Sequence, residues 1–530
     1  MKFQPLDKIA IPFMLALCLL IGVLAWTGEH AAARVRDFSW QDKDIGALDR
    51  AFILSFTRPM DHASVEANLQ IAPPLPGKIS WAGRRMAYTL LAPPPYGEKF
   101  QLTLQDAYER SVTTGTRRNV MQPFLATFES RDRAFAYIGV EGEEAGRLVL
   151  SNLTKRMKVV LTPKNLLVTD FDIFPDAQRI LFAAIDRTAK SPSVLDQKLY
   201  TVTTGLIVQA PPEPGERQQP SWWVRPTPPQ PVAAKVITPV LENTEYRHYQ
   251  VQRFKLSADG KTLVMQRVAR KNPGAQFGLW AVALTEDGTI SSAPVELRSK
   301  GGGDFSITPD GSFIAVSEGQ GLAIIPIKPD AKPLEFLPKF GQLLAFAQDG
   351  TKALTVKFNS DYTRSLFLVT NQGEEKELLK ITGSILSAEF DPIGQFAYCI
   401  LSKAISTPVP AKGAAPQKPP NTSSKNNLTY QEQPFLAMVN LKTEETIPLL
   451  ALPQQLDVTM SLAPDGLGLL LDQIIVGNSN LSPALRTRSG QAIASSQLWL
   501  VPIVPGDPAA QKNTPPTKLP LLGIRPKWLP

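Results

Sequence analysis

Thiols and imidazoles are scarce in this chain. Its 530 residues hold two cysteines, Cys18 and Cys399, and three histidines, His30, His62 and His248. Two widely separated cysteines exclude a disulfide-rich scaffold and any zinc site built from several thiolates. Three scattered histidines leave little material for a histidine-rich metal site. Runs of like charge are also missing. The basic clusters are pairs, such as Arg84-Arg85, Arg117-Arg118 and Lys155-Arg156, and Lys plus Arg minus Asp plus Glu is 56 − 48 = +8. A nucleic-acid-binding arm is therefore excluded. No G-x-S-x-G elbow, H-E-x-x-H, P-loop or G-x-G-x-x-G appears, which removes the common hydrolase, metalloprotease and nucleotide-binding signatures. No cofactor and no catalytic or metal-binding residue is expected.

What is abundant is proline, 48 residues, nearly twice the ~5% typical of soluble proteins. Proline removes a helix donor and clashes with the preceding turn, so the composition argues against an all-helical protein. A hydrophobic share of 43% argues equally against a disordered chain.

One run is free of charge. Ile9 to Trp26 (IAIPFMLALCLLIGVLAW) comes after Lys2 and Lys8. Eighteen residues make about 27 Å of helix, close to the hydrocarbon thickness of a bilayer. The run exceeds the ~7–15 residues of a signal-peptide core. It is expected to be an uncleaved transmembrane signal anchor over 9–26, after a cytoplasmic tail over 1–8 and before a linker over 27–44. The alternative is secretion after cleavage near Ala33, because Ala31-Ala32-Ala33 offers a small-x-small site. Arg34 and Arg36 rival Lys2 and Lys8, so charge alone leaves the orientation open. Either reading places the bulk of the chain outside the cytoplasm. Cys399 then lacks a disulfide partner and is expected to be a buried small hydrophobe.

Residues 45–115 read as short strands broken by proline and glycine. Strands are expected at Arg50–Phe56, Val65–Ile71, Lys78–Trp81, Arg85–Leu91 and Lys99–Leu104, with breaks at Pro73–Gly77 and Pro93–Gly97. Such spacing predicts a small all-β sandwich. Phe56, Pro59, Met60, Asp61, Trp81 and Gly97 carry a resemblance to the SbsA-type Ig-like domain of S-layer and other bacterial envelope proteins. That resemblance implies a spacer or adhesion module without catalytic residues. Trp81 is expected to pack in the core rather than to stack on a ligand.

The rest of the chain repeats itself. Seven copies of an apolar run, a Pro-Asp-Gly-type turn and a second apolar run centre on Asp132, Asp176, Asp259, Asp310, Asp349, Ile393 and Asp465. Successive differences are 44, 83, 51, 39, 44 and 72 residues. The two long gaps hold proline-rich insertions, 209–232 and 405–434, whose composition suits extended loops. With further strands such as Ser365–Thr370, Lys376–Lys380 and Gln497–Pro502, each unit supplies about four strands per ~40–45 residues, the pattern of a β-propeller blade. About seven blades over 119–530 are expected, with six or eight as alternatives. The segment Leu521–Pro530 looks like the opening strand of one more unit, placed to close the ring on the first blade. Pro309-Asp310-Gly311 and Pro464-Asp465-Gly466 resemble the repeat of TolB-like and WD40-like propellers of bacterial envelope proteins. This implies the fold, not the activity, since such propellers include binders, scaffolds and enzymes.

Four features stand out as candidate sites. Asp170 and Asp172 alternate along a strand near Asp176, and turn or strand-edge roles are expected ahead of Ca²⁺ binding. Gly301–Asp304 reads as a loop entering a strand, and His248 as a surface histidine. Trp222 and Trp223, inside the first insertion, suit contact with a partner, a glycan or a membrane interface. Because the strands read as poor in carboxylates, His, Arg and Tyr where a channel would run, the expected function is non-catalytic. That is a membrane-anchored, extracytoplasmic binding or scaffold protein of a bacterial inner membrane, recognising an envelope protein or glycan. The alternative is a lyase- or glycoside-hydrolase-type enzyme working in the central channel.

Overall fold

The computed structural model describes residues 7–29, 32–110, 119–190, 192–209, 211, 233–272, 277–298, 303–318, 321–327, 340–408, 428–455, 457–478, 484–505, 510–511 and 514–530. A helix runs Asp7–Glu29 with Pro12 inside it. The side chains described along it, Pro12 to Val23, are exposed. Among the described residues no helix is long and apolar enough to cross a membrane, so the anchor expected over 9–26 is not supported by the structure. The remainder is almost entirely β and divides into two compact units.

The first unit is a two-sheet sandwich. One sheet orders Val35–Phe38, Ala51–Phe56, Arg85–Leu90 and Gly77–Ala82; the other orders Asp44–Ile45, Phe124–Ser130, Lys99–Leu104 and Leu69–Ala72. Alternate residues of the strands face inward, giving the pattern exposed-buried along Ala51–Phe56 and Lys99–Leu104. The core is aromatic: Trp40 meets Phe52 and Phe128 at 5.2 and 5.4 Å between ring centroids. The strand expected over Val65–Ile71 is instead the helix His62–Asn68 followed by the strand Leu69–Ala72. The Asp61 carboxylate accepts from the Ser64 amide at 2.8 Å, an N-cap that outweighs the apolar alternation. The sheets also take in Val35–Phe38 and Phe124–Ser130, outside the expected 45–115.

The second unit is a ring of seven sheets in chain order, a β-propeller. Blades 2 to 7 begin with the inner strands Leu166–Ile173, Tyr249–Leu256, Phe305–Ile307, Gln342–Phe346, Ile385–Phe390 and Met460–Leu462. Successive inner strands adjoin one another around the ring. Blade 1 differs. Its second to fourth strands are Ala134–Gly139, Leu148–Asn152 and Met157–Val160, and its inner strand is the C-terminal Gly523–Trp528, antiparallel to Ala134–Gly139. The first half of the first repeat copy, Ala126–Ser130, pairs with Lys99–Leu104 in the sandwich instead. The chain's end takes the place it leaves in the ring. Blade 4 shows three strands among the described residues.

Blades hold one another through period-2 burial. On the strand Phe396–Pro408 of blade 6, Ala397, Cys399 and Leu401 pack against Leu354 and Val356 of blade 5. Tyr398 and Ile400 point the other way, to Met460 and Leu469 of blade 7. Cys399 is thus a core residue, and burial pushes its thiol up to about 12. The turns repeat closely. In five copies the Asp carboxylate accepts the amide two residues on: Asp176 from Gln178, Asp259 from Lys261, Asp310 from Ser312, Asp349 from Thr351 and Asp465 from Leu467, at 2.9–3.1 Å. The next residue has positive φ, Gly311 at +67° and Gly350 at +70°, where a side chain is strained.

The strands that lead into the two proline-rich insertions end at opposite ends of the propeller. The first comes after Lys198–Thr203, whose end pairs beside the Asp176 turn. The second comes after Phe396–Pro408, which ends on the side where the inner strand starts.

Two outcomes are expected in thermal or denaturant unfolding. Gly311→Ala meets only ordinary contact, Ser257 Cβ at 3.7 Å, so backbone strain alone should cost about 1 kcal/mol. Trp528→Ala removes a buried ring packed on Phe135 at 5.4 Å and should cost about 3–5 kcal/mol.

Candidate functional site

The repeat gives each inner strand two special positions, six and four residues before the turn residue. These are Asp170 and Asp172 in blade 2, Arg253 and Lys255 in blade 3, Asp304 and Ser306 in blade 4, and Leu343 and Ala345 in blade 5. Blade 6 supplies Ser387 and Glu389, blade 7 Thr459 and Ser461. The strand pairing gives Arg525 and Lys527 the same register in blade 1, since Lys527 stands opposite Ala136 as Asp172 stands opposite Leu181. The residues between are buried: Phe171, Phe254, Phe305, Ala388 and Met460. A bulge at Thr169, Gln252 and Leu386, seven residues before the turn in each copy, re-aims the side chains beyond it.

Two rings of side chains therefore line the channel wall. In the upper ring the sign alternates: Arg525 faces Asp170 at 3.6 Å and Arg253 pairs with Asp304. Arg525 also donates to the Thr169 carbonyl. In the lower ring each engaged group reaches the next blade. Lys527 Nζ donates to the Phe171 carbonyl at 2.6 Å and meets Asp172 at 3.2 Å. Asp172 accepts the Leu256 amide at 3.1 Å, and Glu389 accepts the Leu462 amide at 2.8 Å. An inner strand has no strand on its channel side, so these side chains satisfy backbone groups that a ladder would otherwise serve. They also staple consecutive blades.

Burial and charge pull against each other here. Burial raises the Asp172 carboxyl, but the Lys527 ammonium, the Leu256 amide and the Lys255 ammonium together hold it below the ordinary value. Burial lowers the Lys527 ammonium, yet Asp172 and Asp170 hold it above. For Glu389 burial wins over the Leu462 amide and the Lys527 charge, and its carboxyl is raised to about 7. Burial depresses the Lys255 ammonium; Asp172 offsets this only in part, and the Lys527 charge depresses it further. Its side chain is nevertheless open to water. Water access inside dense protein is what a channel wall provides. Beside the upper ring, a small cleft is lined by Thr459, Asp472, Thr487, Arg488 and Arg525.

The channel corrects the expectation that inner strands are poor in polar groups. Asp170 and Asp172 lie on the edge strand of the blade 2 sheet, the edge placement expected of them, and Asp176 caps its turn, accepting from both Gln178 and Arg179. Among the described residues no group of three or more His, Cys, Asp or Glu stands together to hold a metal. His248 is exposed at the end of the short helix Asn243–His248. Trp81 lies between His62 and Phe56, with its indole donating to Glu66 at 2.9 Å. Trp222 and Trp223 lie outside the described residues.

No family model matches this chain, and no curated relative matches it. Solved structures similar to it include a candidate 6-phosphogluconolactonase from Bacteroides fragilis: 11% identity, TM-score 0.40, covering 75% of this chain and 98% of that one. TolB from Acinetobacter baumannii is similar at 10% identity and TM-score 0.34, covering 87% and 83%. A puromycin hydrolase is similar at 13% identity and TM-score 0.36, covering 73% and 58%. At these TM-scores the likenesses carry no argument, and the fold rests on the strand pairing above.

Glu389 gives a pH test. Its folded value of about 7 lies above the ordinary 4.5, so the folded state holds the proton more tightly. The stability this contributes is complete below pH 4.5 and is lost as pH rises through 7. Glu389→Gln should flatten that loss. The variant should gain about 2 kcal/mol over wild type between pH 5 and pH 8, read from denaturant unfolding at the two pH values.

Proposed function

We propose that this protein is an extracytoplasmic binding or scaffold protein whose propeller presents its channel mouth to a ligand or partner in a bacterial envelope. One observation carries the reading: the channel charges are engaged with one another and with the backbone of the next blade. Asp172, Lys527, Asp170 and Arg525 hold the ring together and are not left as a free acid–base pair. A wall of fixed, alternating charge suits orientation and selection of a charged partner. The sandwich is the spacer in this reading, as its resemblance to envelope Ig-like domains implies. The uncharged run Ile9–Trp26 is the proposed anchor in the inner membrane. Trp222 and Trp223 are proposed as a second partner contact, on an insertion whose flanking strand ends at the Asp-turn side.

A second reading has one observation in its favour. Glu389, with a carboxyl near 7 beside Lys527, has the acidity of a group able to give and take a proton at neutral pH. It makes the channel enzyme, of lyase or glycoside-hydrolase type, the alternative.

The test is cross-linked recovery of partners from detergent-solubilised envelope. Wild type is compared with Asp304→Lys, whose site is open at the channel mouth, and with deletions of 209–232 and of 405–434. Asp304→Lys should lose at least one partner that wild type recovers, and the full chain should leave the membrane fraction only with detergent. If all four proteins recover the same set, the binding reading fails. Turnover of a glycoside or polyuronate that Glu389→Gln abolishes favours the enzyme.

A further inference from the structure

We propose that the cleft beside the upper ring is a binding site for one hydroxylated ring, a sugar unit of a glycan. The inference rests on the reading of the propeller as a binding protein and names the chemistry that this part of it takes.

The cleft lies where blade 7 extends beside the closing strand. The strands Gly468–Val476 and Ile493–Pro502 run on past the inner strand Met460–Leu462, pairing as far as Val476 with Ile493. Ile474 and Ile493 of this extension pack in the cluster that holds Ile524 of blade 1. All three line the cleft and give it an apolar floor. Charges of both signs stand around that floor: Asp457 and Asp472 against Arg486, Arg488 and Arg525.

Most of these groups are already engaged. Asp472 accepts the Thr459 amide at 2.6 Å, the Arg525 amide at 2.8 Å and the Thr459 hydroxyl. Arg525 reaches Asp170 and the Thr169 carbonyl, and Arg486 donates to the Gly490 carbonyl at 2.7 Å. Two groups keep spare capacity. Asp457 takes the Ser489 hydroxyl and amide at 3.0 and 3.5 Å through Oδ2, and its Oδ1 accepts nothing among the described residues. Arg488 is exposed and has no hydrogen bond and no ion pair among the described residues. One carboxylate oxygen and one guanidinium fork are thus available on the same cleft.

The backbone marks the place as well. Arg525 has φ +53° in the bulge between Ile524 and Lys527, a left-handed conformation that only glycine adopts without strain. The Asp472 carboxylate holds it there through the Arg525 amide. Strain of this kind is retained where a particular side chain is needed, and here that side chain is one wall of the cleft.

The mixture of signs selects the ligand. A free anion would meet Asp457, and a free cation would meet the arginines. A hydroxyl both donates and accepts, so two neighbouring hydroxyls can donate to Asp457 Oδ1 and accept from Arg488. The C–H face of a sugar ring covers the isoleucine floor, which a small zwitterion would leave bare.

The experiment titrates the full chain, held in a polyoxyethylene detergent that carries no sugar, with glucose and with N-acetylglucosamine by saturation-transfer NMR. Glycine and acetate are the comparison probes. Saturable binding is expected for at least one sugar and is tighter than for glycine or acetate. Arg488→Gln and Asp457→Asn should each weaken it at least fivefold at unchanged melting temperature, while Lys442→Gln, on an exposed turn, leaves it unchanged. No saturable binding of either sugar, sugar binding that either cleft variant leaves intact, or tighter binding of glycine or acetate overturns the inference. If Asp304→Lys still loses a partner in that case, the binding reading survives without its sugar site. If a sugar binds as stated and no partner is ever lost, the site stands and the broader reading falls.

Discussion

The pairing of Gly523–Trp528 with Ala134–Gly139 is the constraint on which the second unit depends. Seven sheets laid side by side leave two open flanks, and each flank is a row of apolar side chains. The C-terminal strand joins them: Trp528 packs on Phe135 in the same cluster as Leu470 and Leu498 of blade 7, while Ile524 joins the cluster shared with blade 2. Closure by a strand from the far end of the chain ties the ends of the ring by hydrogen bonds as well as by packing. It also makes the unit cooperative across nearly 400 residues, since the first blade is incomplete until the last is made.

The same strand carries Arg525 and Lys527 into the channel. Without them Asp170 and Asp172 would lose the cations paired with them, and burial disfavours a carboxylate that has lost its partner. Ring closure and channel electrostatics are therefore one event. The alternation continues to Arg253 and Asp304 and stops at Leu343 and Ala345, so one side of the channel is charged and the other, Glu389 apart, is apolar or hydroxylic.

Much of this architecture is legible in the sequence, because the turn chemistry is local. An Asp that caps its own turn and a glycine at positive φ are needed wherever the hairpin recurs, and they recur at Asp259-Gly260, Asp310-Gly311, Asp349-Gly350 and Asp465-Gly466. The helix His62–Asn68 is hidden because VEANLQI alternates like a strand while its decisive residue, Asp61, lies outside the apolar pattern. Ala126–Ser130 looks like every other inner strand, and only long-range pairing decides that it serves the sandwich. The channel is hidden for a different reason. Asp170, Arg253 and Glu389 read singly are edge charges, and they become neighbours only when the ring closes. The positions six and four before each turn carry the pattern, but Arg525 and Lys527 precede no Asp-Gly turn and break the register by eye.

The closing strand holds the ring through the charged groups it carries as well as through packing. The most direct measurement is a double-mutant cycle on unfolding free energy with Asp172→Asn, Lys527→Gln and the pair. Residues 355 positions apart in the chain should show a coupling of about 1–3 kcal/mol. A coupling below about 0.3 kcal/mol would mean that the two side chains act independently and would contradict the account.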